Sequence, residues 1–317
     1  LPRIVALAGG VGGAKLAHGL YQCLAPNELT VIVNTADDFT MFGLHVSPDA
    51  DTVMYTLGGL ANPATGWGVL GDTFETLKLL GRYGRDTWFW IGDRDFATHI
   101  ARTERLRAGA SLTEVTAELT RALGIHAAIL PMCDEPVATR VHTPDGPLEF
   151  QEYFVRRHHE DPVTGVDFRG IEVARPTGAV RAALAAADAI VFCPSNPIVS
   201  IGPILGVPGL RAAIAETQVP RIAVSPIVGG QALRGPADRM LRGLGVEVSA
   251  YGVATLYRGL IDGLVIDEQD AALAPRIEAL GMRAWAAPTV MTGEPERVDL
   301  ATRVLEIAGR LRGDHAG

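Results

Sequence analysis

Short, uninterrupted apolar runs set the rhythm of this chain. Ile4-Val5-Ala6-Leu7-Ala8, Leu29-Thr30-Val31-Ile32-Val33, Ala189-Ile190-Val191-Phe192-Cys193 and Arg221-Ile222-Ala223-Val224-Ser225 show no strict apolar–polar alternation. Strands with no polar face are covered on both sides, as in a parallel sheet. The first two runs are joined by Gly9-Gly10-Val11-Gly12-Gly13-Ala14-Lys15 and by a segment with Leu16, Leu20 and Leu24 at helical spacing. A strand–helix–strand order implies parallel pairing, because parallel strands need a crossover. Trp88-Phe89-Trp90, Glu247–Ala250 and Leu264–Asp267 read as further strands.

The middle of the chain is mixed. Ser111-Leu112-Thr113-Glu114 has the form of a helix capping box. Asp145-Gly146, between Arg140–Thr143 and Leu148–Val155, predicts a β-hairpin, and Arg156–Asp161 a surface loop. The expected fold class is α/β: a Rossmann-like, doubly wound, mostly parallel sheet formed by residues 1–100 and 176–317. Residues 101–175 are expected as an inserted mixed helix and hairpin region. Ligands of such sheets bind beyond the carboxyl ends of the strands.

Composition narrows the function. The 317 residues carry a net charge of −8, with 48% hydrophobic and 20% charged residues, the mix of an ordinary globular protein. The most apolar stretch, Ala182–Cys193, is broken by Asp188, so no membrane span is expected. The start, Leu1-Pro2-Arg3-Ile4, has no signal-peptide layout and no Met, which suggests a trimmed residue. Cys23, Cys133 and Cys193 have no metal-ligand spacing and read as buried fillers in a reducing cytoplasm. An acidic chain without a basic run is a poor partner for nucleic acid. Of the 28 basic residues only Lys15 and Lys78 are lysine, so a retained lysine invites a question.

The glycine loop breaks both common phosphate motifs. Ala14-Lys15-Leu16 does not complete a Walker A sequence, and Lys15 stands where a dinucleotide loop has its last glycine. A compact ammonium beside close-approaching N–H groups still suits a diphosphate; a tight turn without ligand is the plain alternative. Asn34-Thr35-Ala36-Asp37-Asp38 offers an acid for a ribose or for Mg2+, or a helix cap. Asp49 and Asp51, before an apolar segment, offer hard oxygen ligands or helix caps. Gly92-Asp93-Arg94-Asp95, with Thr98 and His99, is a substrate clamp or an ion pair. Pro194-Ser195-Asn196-Pro197 and Ser225-Pro226-Ile227-Val228-Gly229-Gly230 follow buried strands with phosphate-compatible groups or plain turns. Trp67 could stack on a flat ring or pack within its loop.

Taken in order, AGGVGGAKL, VNTADD, SPDADTVMY, GDRDFATHI, RAGASLTE, ILPMCDEPVATR, PSNPIVSIGPIL and VSPIVGG cover nearly the whole chain. Together they resemble the 2-phospho-L-lactate transferase family of coenzyme F-420 biosynthesis. The resemblance implies a Mg2+-dependent enzyme, expected as a cytoplasmic homodimer. It would move a phospholactate or phosphoenolpyruvate unit from a guanosine diphosphate-linked donor to the terminal ribityl hydroxyl of the deazaflavin Fo, releasing GMP. It places Fo contacts on Asp51 and Arg94, and the nucleotide side on Gly10, Gly12, Gly13, Lys15, Ser195 and Asn196. It makes Asp51 the residue that helps deprotonate the acceptor, and Asp37 or Asp51 the metal ligand. The loop differs from the GGTGTPK of archaeal-type members and hints at a bacterial type. A nucleotide-sugar-binding regulator of the same fold is the rival reading, and an NAD-dependent oxidoreductase is the third.

Overall fold

The computed structural model describes residues 2–315; Leu1, where the sequence begins without Met, and Ala316 and Gly317 lie outside them. Fourteen strands form in chain order: β1 (Ile4–Ala8), β2 (Leu29–Val33), β3 (Phe39–Met41), β4 (Leu44–Val46), β5 (Ala128–Pro131), β6 (Ala138–Thr143), β7 (Gly146–Glu149), β8 (Gly165–Arg169), β9 (Ala189–Phe192), β10 (Arg221–Val224), β11 (Ile227–Val228), β12 (Gln231–Ala232), β13 (Gly263–Asp267) and β14 (Arg283–Ala287). Seven of them make the main sheet, in the order β14-β13-β10-β9-β1-β2-β5, and every pairing in it is parallel. This is the α/β doubly wound architecture expected from the apolar runs.

The two faces separate along each strand because side chains alternate. Ile4, Ala6 and Ala8 of β1 join one apolar core, while Val5 and Leu7 join the other. The first core is closed by α1 (Gly10–Cys23), α2 (Pro48–Leu57) and the long helix Glu294–His315. The second is closed by helices Gly178–Ala185, Ile201–Gly206, Leu210–Ala215 and Ala250–Leu256. Cys133 and Cys193 are buried and free, as fillers are.

The chain winds outward from β1 to β2 and β5, then returns to β9 on the other side of β1 and winds the opposite way. The loops after β1 and β9 therefore diverge, and a crevice opens between them at this switch of direction. Between β2 and β5 the chain builds the β3–β4 hairpin, α2, α3 (Glu75–Arg82), α4 (Asp93–Arg107) and α5 (Leu112–Ala122). The Ser111 capping box and the Asp145-Gly146 hairpin both form.

Several local expectations need correction. Trp88-Phe89-Trp90 is not a strand: it is irregular, and Trp90 is exposed, so no sheet covers it. Glu247–Ala250 is not a strand either, because Ser249 caps the helix that starts at Ala250 by accepting from the Gly252 N–H. Leu148–Val155 stops as strand at Glu149 and turns into a π-helical segment, Glu152–Arg156. Within 101–175, β5 is an edge strand of the main sheet, and β7-β6-β8 forms a separate antiparallel sheet.

Candidate active site

A cleft of about 1350 Å³ lies over the carboxyl ends of the central strands. Its floor is the glycine turn after β1, Asp37 after β2, Pro194–Asn196 after β9 and Ser225-Pro226 after β10. Its walls come from α2, α4 and the π-helical segment.

The expected glycine loop is already helix. Gly9 caps α1 in extended conformation and Gly10–Lys15 forms its first turns, so the orphan N–H groups of a helix start face the crevice. Gly10 has φ +63°, a left-handed conformation that suits glycine. Ser195 Oγ accepts from the Gly9 N–H at 3.1 Å and ties the two divergent loops together. A Cβ on Gly12 would overlap the Pro194 carbonyl oxygen, and one on Gly13 the Ser195 hydroxyl. Gly10, Gly12, Lys15, Ser195 and Asn196 line the cleft; Gly13 does not, and packs instead beneath the Pro194–Pro197 loop. Asn196 spends its Oδ1 on the Ile198 and Val199 N–H groups, which shapes its own loop. Lys15 Nζ donates to the Met291 carbonyl at 2.6 Å. Burial, then Arg297 and Arg234, hold its pKa below the ordinary lysine value. Lys78, by contrast, makes an exposed pair with Glu75.

Two carboxylates meet in front of α1. The Asn34 side-chain amide donates to Asp37 Oδ2 at 2.9 Å and to Asp49 Oδ2 at 3.0 Å. Asp37 Oδ1 is buried without a hydrogen-bond partner. Burial and the neighbouring Asp49 charge push the Asp37 pKa well above the usual carboxylate value, and burial raises Asp49 to about 6. A pair of buried acids with an unused oxygen fits a hard divalent cation, which takes carboxylate oxygens. The metal expectation names Asp37 or Asp51; the carboxylate brought next to Asp37 is Asp49.

Stability should therefore respond to pH and to cation together. Both folded-state pKa values lie above the ordinary 3.8. The cost of folding with these acids ionised is thus full above the folded values, fades as pH falls through them toward 3.8, from about 6 in the case of Asp49, and is absent below. Mg2+ is expected to raise the melting temperature at about pH 7.5 and by less at about pH 5. Asp37→Asn should remove most of that gain; an equal shift in the variant would place the ion elsewhere.

Asp51 has a different environment. Both its oxygens are gripped by Arg102: Nη1 donates to Oδ2 at 3.1 Å and Nη2 to Oδ1. His99 Nδ1 lies 3.7 Å from Asp51 Oδ2, and His99 Nε2 lies 3.3 Å from Asp95 Oδ1. Tyr55 donates its hydroxyl to Asp95 Oδ1 at 2.7 Å. Burial, with the Asp51 and Asp95 charges, raises the Tyr55 pKa far above the ordinary phenol value, so it stays a donor. Asp51, Asp95 and His99 each offer a ligand atom within 4.8 Å of one another. The Arg102 guanidinium, however, already supplies the positive charge there.

Arg94 is not on the cleft wall; its Nη1 donates to the Leu70 carbonyl at 3.1 Å. Its neighbours do two separate jobs. Asp93 accepts from Thr73, Glu75 and Thr76 and knits the loop before α3, while Asp95 enters the cleft. The sequence motifs include His99 and Asn34 but give no role to Asn34, Tyr55 or Arg102. The signal was present: Asp95, His99 and Arg102 stand at i, i+4 and i+7, a polar stripe on one helix face.

An aromatic wall completes the cleft. Phe150 and Phe154 stack at 5.5 Å with 12° between planes, and His159 tilts against Phe154 at 5.3 Å. His158 and His159 have φ of 53° and 47°, strained values for non-glycine residues that cluster at functional sites. Trp67 also lines the cleft and is 43% exposed, open to a ring rather than packed away.

Comparison with known proteins agrees with this architecture. The solved structure of a UPF0052-family protein from Bacillus halodurans aligns with a TM-score of 0.66 at 14% identity, covering 95% of this chain and 98% of that one, which shows the shared fold alone. A protein of Streptomyces griseus named phosphoenolpyruvate transferase is 46% identical over 98% of this chain and 99% of its own length. A 2-phospho-L-lactate transferase of Methanosarcina acetivorans is 42% identical over 95% of this chain and 98% of its own. The family model for 2-phospho-L-lactate transferase CofD matches residues 4–288, a span that carries both loops of the switch and all the carboxylates of the cleft, and by that match the chain belongs to the 2-phospho-L-lactate transferase family.

Proposed function

We propose that this transferase moves a 2-phospho-L-lactate or phosphoenolpyruvate unit from a guanosine diphosphate-linked donor to the terminal ribityl hydroxyl of Fo, releasing GMP, with Mg2+ at Asp37 and Asp49. The observation that carries the reading is that two unlike centres line one cleft. The helix start, Lys15 and the Asp37–Asp49 pair suit a diphosphate with its cation. Asp51, which also lines the cleft, suits a hydroxyl. The aromatic wall and Trp67 suit a flat ring.

Phosphoryl-type transfer depends on positioning and on charge stabilisation. The acceptor oxygen forms a bond to the phosphorus that bears the acyl group. The bond from that phosphorus to the bridging oxygen breaks, and GMP leaves with the electron pair. The hydroxyl proton passes to Asp51. Lys15 and the first-turn N–H groups hold the diphosphate in line. When bound, Mg2+ offsets charge on the diphosphate and the leaving group.

The test is direct. Purified protein is mixed with Fo, Mg2+ and either guanosine diphospho-acyl donor, and phosphoacylated Fo is sought by mass spectrometry. Absence of product with both donors would overturn the reading, and the productive donor settles lactyl against enolpyruvyl. Lys15→Arg is expected to weaken donor binding about tenfold, because a planar guanidinium does not replace a compact ammonium in this confined seat. Wild-type donor affinity should also fall as pH rises through the lowered Lys15 pKa, a decline that Arg at this position would lack. Isothermal titration at several alkaline pH values checks both; unchanged affinity in the variant would return Lys15 to a packing role.

A further inference from the structure

Arg102 is only 1% exposed and does not line the cleft, yet it holds three groups at once. Its Nη1 and Nη2 take the two oxygens of Asp51, its Nη1 lies 3.3 Å from His99 Nδ1, and the same Nη1 reaches the His45 carbonyl at 3.4 Å. A guanidinium can only donate. His99 Nδ1 is therefore the acceptor, and its ring proton sits on Nε2, facing Asp95.

As a stabilising device this arrangement is poor. Buried ion pairs are often no better than apolar residues of the same shape. Here the Arg102 Nε is also buried without a partner, a further cost. What the pair does supply is geometry. Asp51 sits in the first turn of α2 and Arg102 in the third turn of α4, so the planar fork locks one helix to the other at the carboxylate. It also fixes the plane of that carboxylate and the ring of His99, both of which line the cleft.

We infer that Arg102 is a positioning residue for the transfer reaction, orienting Asp51 toward the acceptor hydroxyl. This rests on the function proposed above. Arg102 acts through Asp51 and touches no reacting atom.

Lysine at this position keeps a charge but loses the fork. In Arg102→Lys, kcat with Fo is expected to fall about 100-fold, the cost of a misplaced group. KM for the donor should stay within about twofold, since the diphosphate seat is untouched, and the circular dichroism spectrum should remain native. The decisive readout is a double-mutant cycle. If Arg102 works through Asp51, Asp51→Asn/Arg102→Lys is no slower than Asp51→Asn alone. A wild-type kcat in a folded Arg102→Lys, or losses that multiply in full, would overturn the inference. Should Arg102→Lys fail to fold, Asp51→Asn/Arg102→Met leaves no buried charge at the pair and takes its place in the cycle. A rate equal to that of Asp51→Asn supports the inference, and a further loss overturns it. Wild-type protein is the control throughout: if it transfers nothing to Fo, the functional reading and the inference fall together, whereas an active wild type isolates the inference.

Discussion

Asp51→Asn is expected to reduce turnover by about 100- to 10,000-fold, the range for loss of a general base, and also to destabilise the fold. The second effect comes from the partner. Sequence alone makes Asp51 a metal ligand or a helix cap, and the resemblance a catalytic base; in each case its replacement by the near-isosteric Asn looks mild for folding. The structure sets it against buried Arg102 through both oxygens. Burial lowers the Arg102 pKa most strongly, but the charge and hydrogen bonds of Asp51, with the Asp38 charge, together raise it above the ordinary value. Breaking such a pair from one side costs about 3–5 kcal/mol. Asn retains one carbonyl acceptor, so the low end of that range is expected. Denaturant unfolding with turnover measured well below the melting temperature separates the two effects. Activity close to wild type in folded protein would remove Asp51 from the chemistry.

Gly12→Ala is expected to cost about 1–3 kcal/mol through overpacking and to weaken donor binding more than 10-fold. Its Cβ would run into a backbone carbonyl, Pro194 O, and not into a side chain able to rotate away. Relief requires the Pro194–Pro197 loop to move off α1. That movement stretches the Ser195–Gly9 hydrogen bond, which closes the crevice floor. Acceptor affinity should change less, because Asp51 is held by Arg102 of α4 and not by the Pro194–Pro197 loop. Thermal melts and donor titration check the pair of effects; a variant with native stability and donor affinity would mean that the loop yields freely.

How far the site was legible depends on sequence distance. The glycine turn and the Ser195 loop were visible because each is a local signal at the end of an apolar run, and the rule that ligands sit beyond strand ends points to both. Their contact was not visible, since it spans 186 residues. Asp37 and Asp49 each carried a local reading as a cap or a ligand. Only the fold shows that Asn34 holds them together and that Asp51, two residues further on, faces another helix. Arg94 shows the opposite case. Its motif was read as one clamp, but successive residues on a helix point in different directions: Asp93 serves a loop, Asp95 the cleft and Arg94 the Leu70 carbonyl.

The amino-acid sequence by itself determined the parallel sheet, its winding helices and the family, because uninterrupted apolar runs, turn residues and ordered motifs are properties of neighbouring positions. Tertiary structure alone decided which acids lie side by side and which one is matched to an arginine. Charge, burial and hydrogen bonding act through space, and the residues that set them arrive from β2, α1, α2 and α4, brought together only once the sheet has closed.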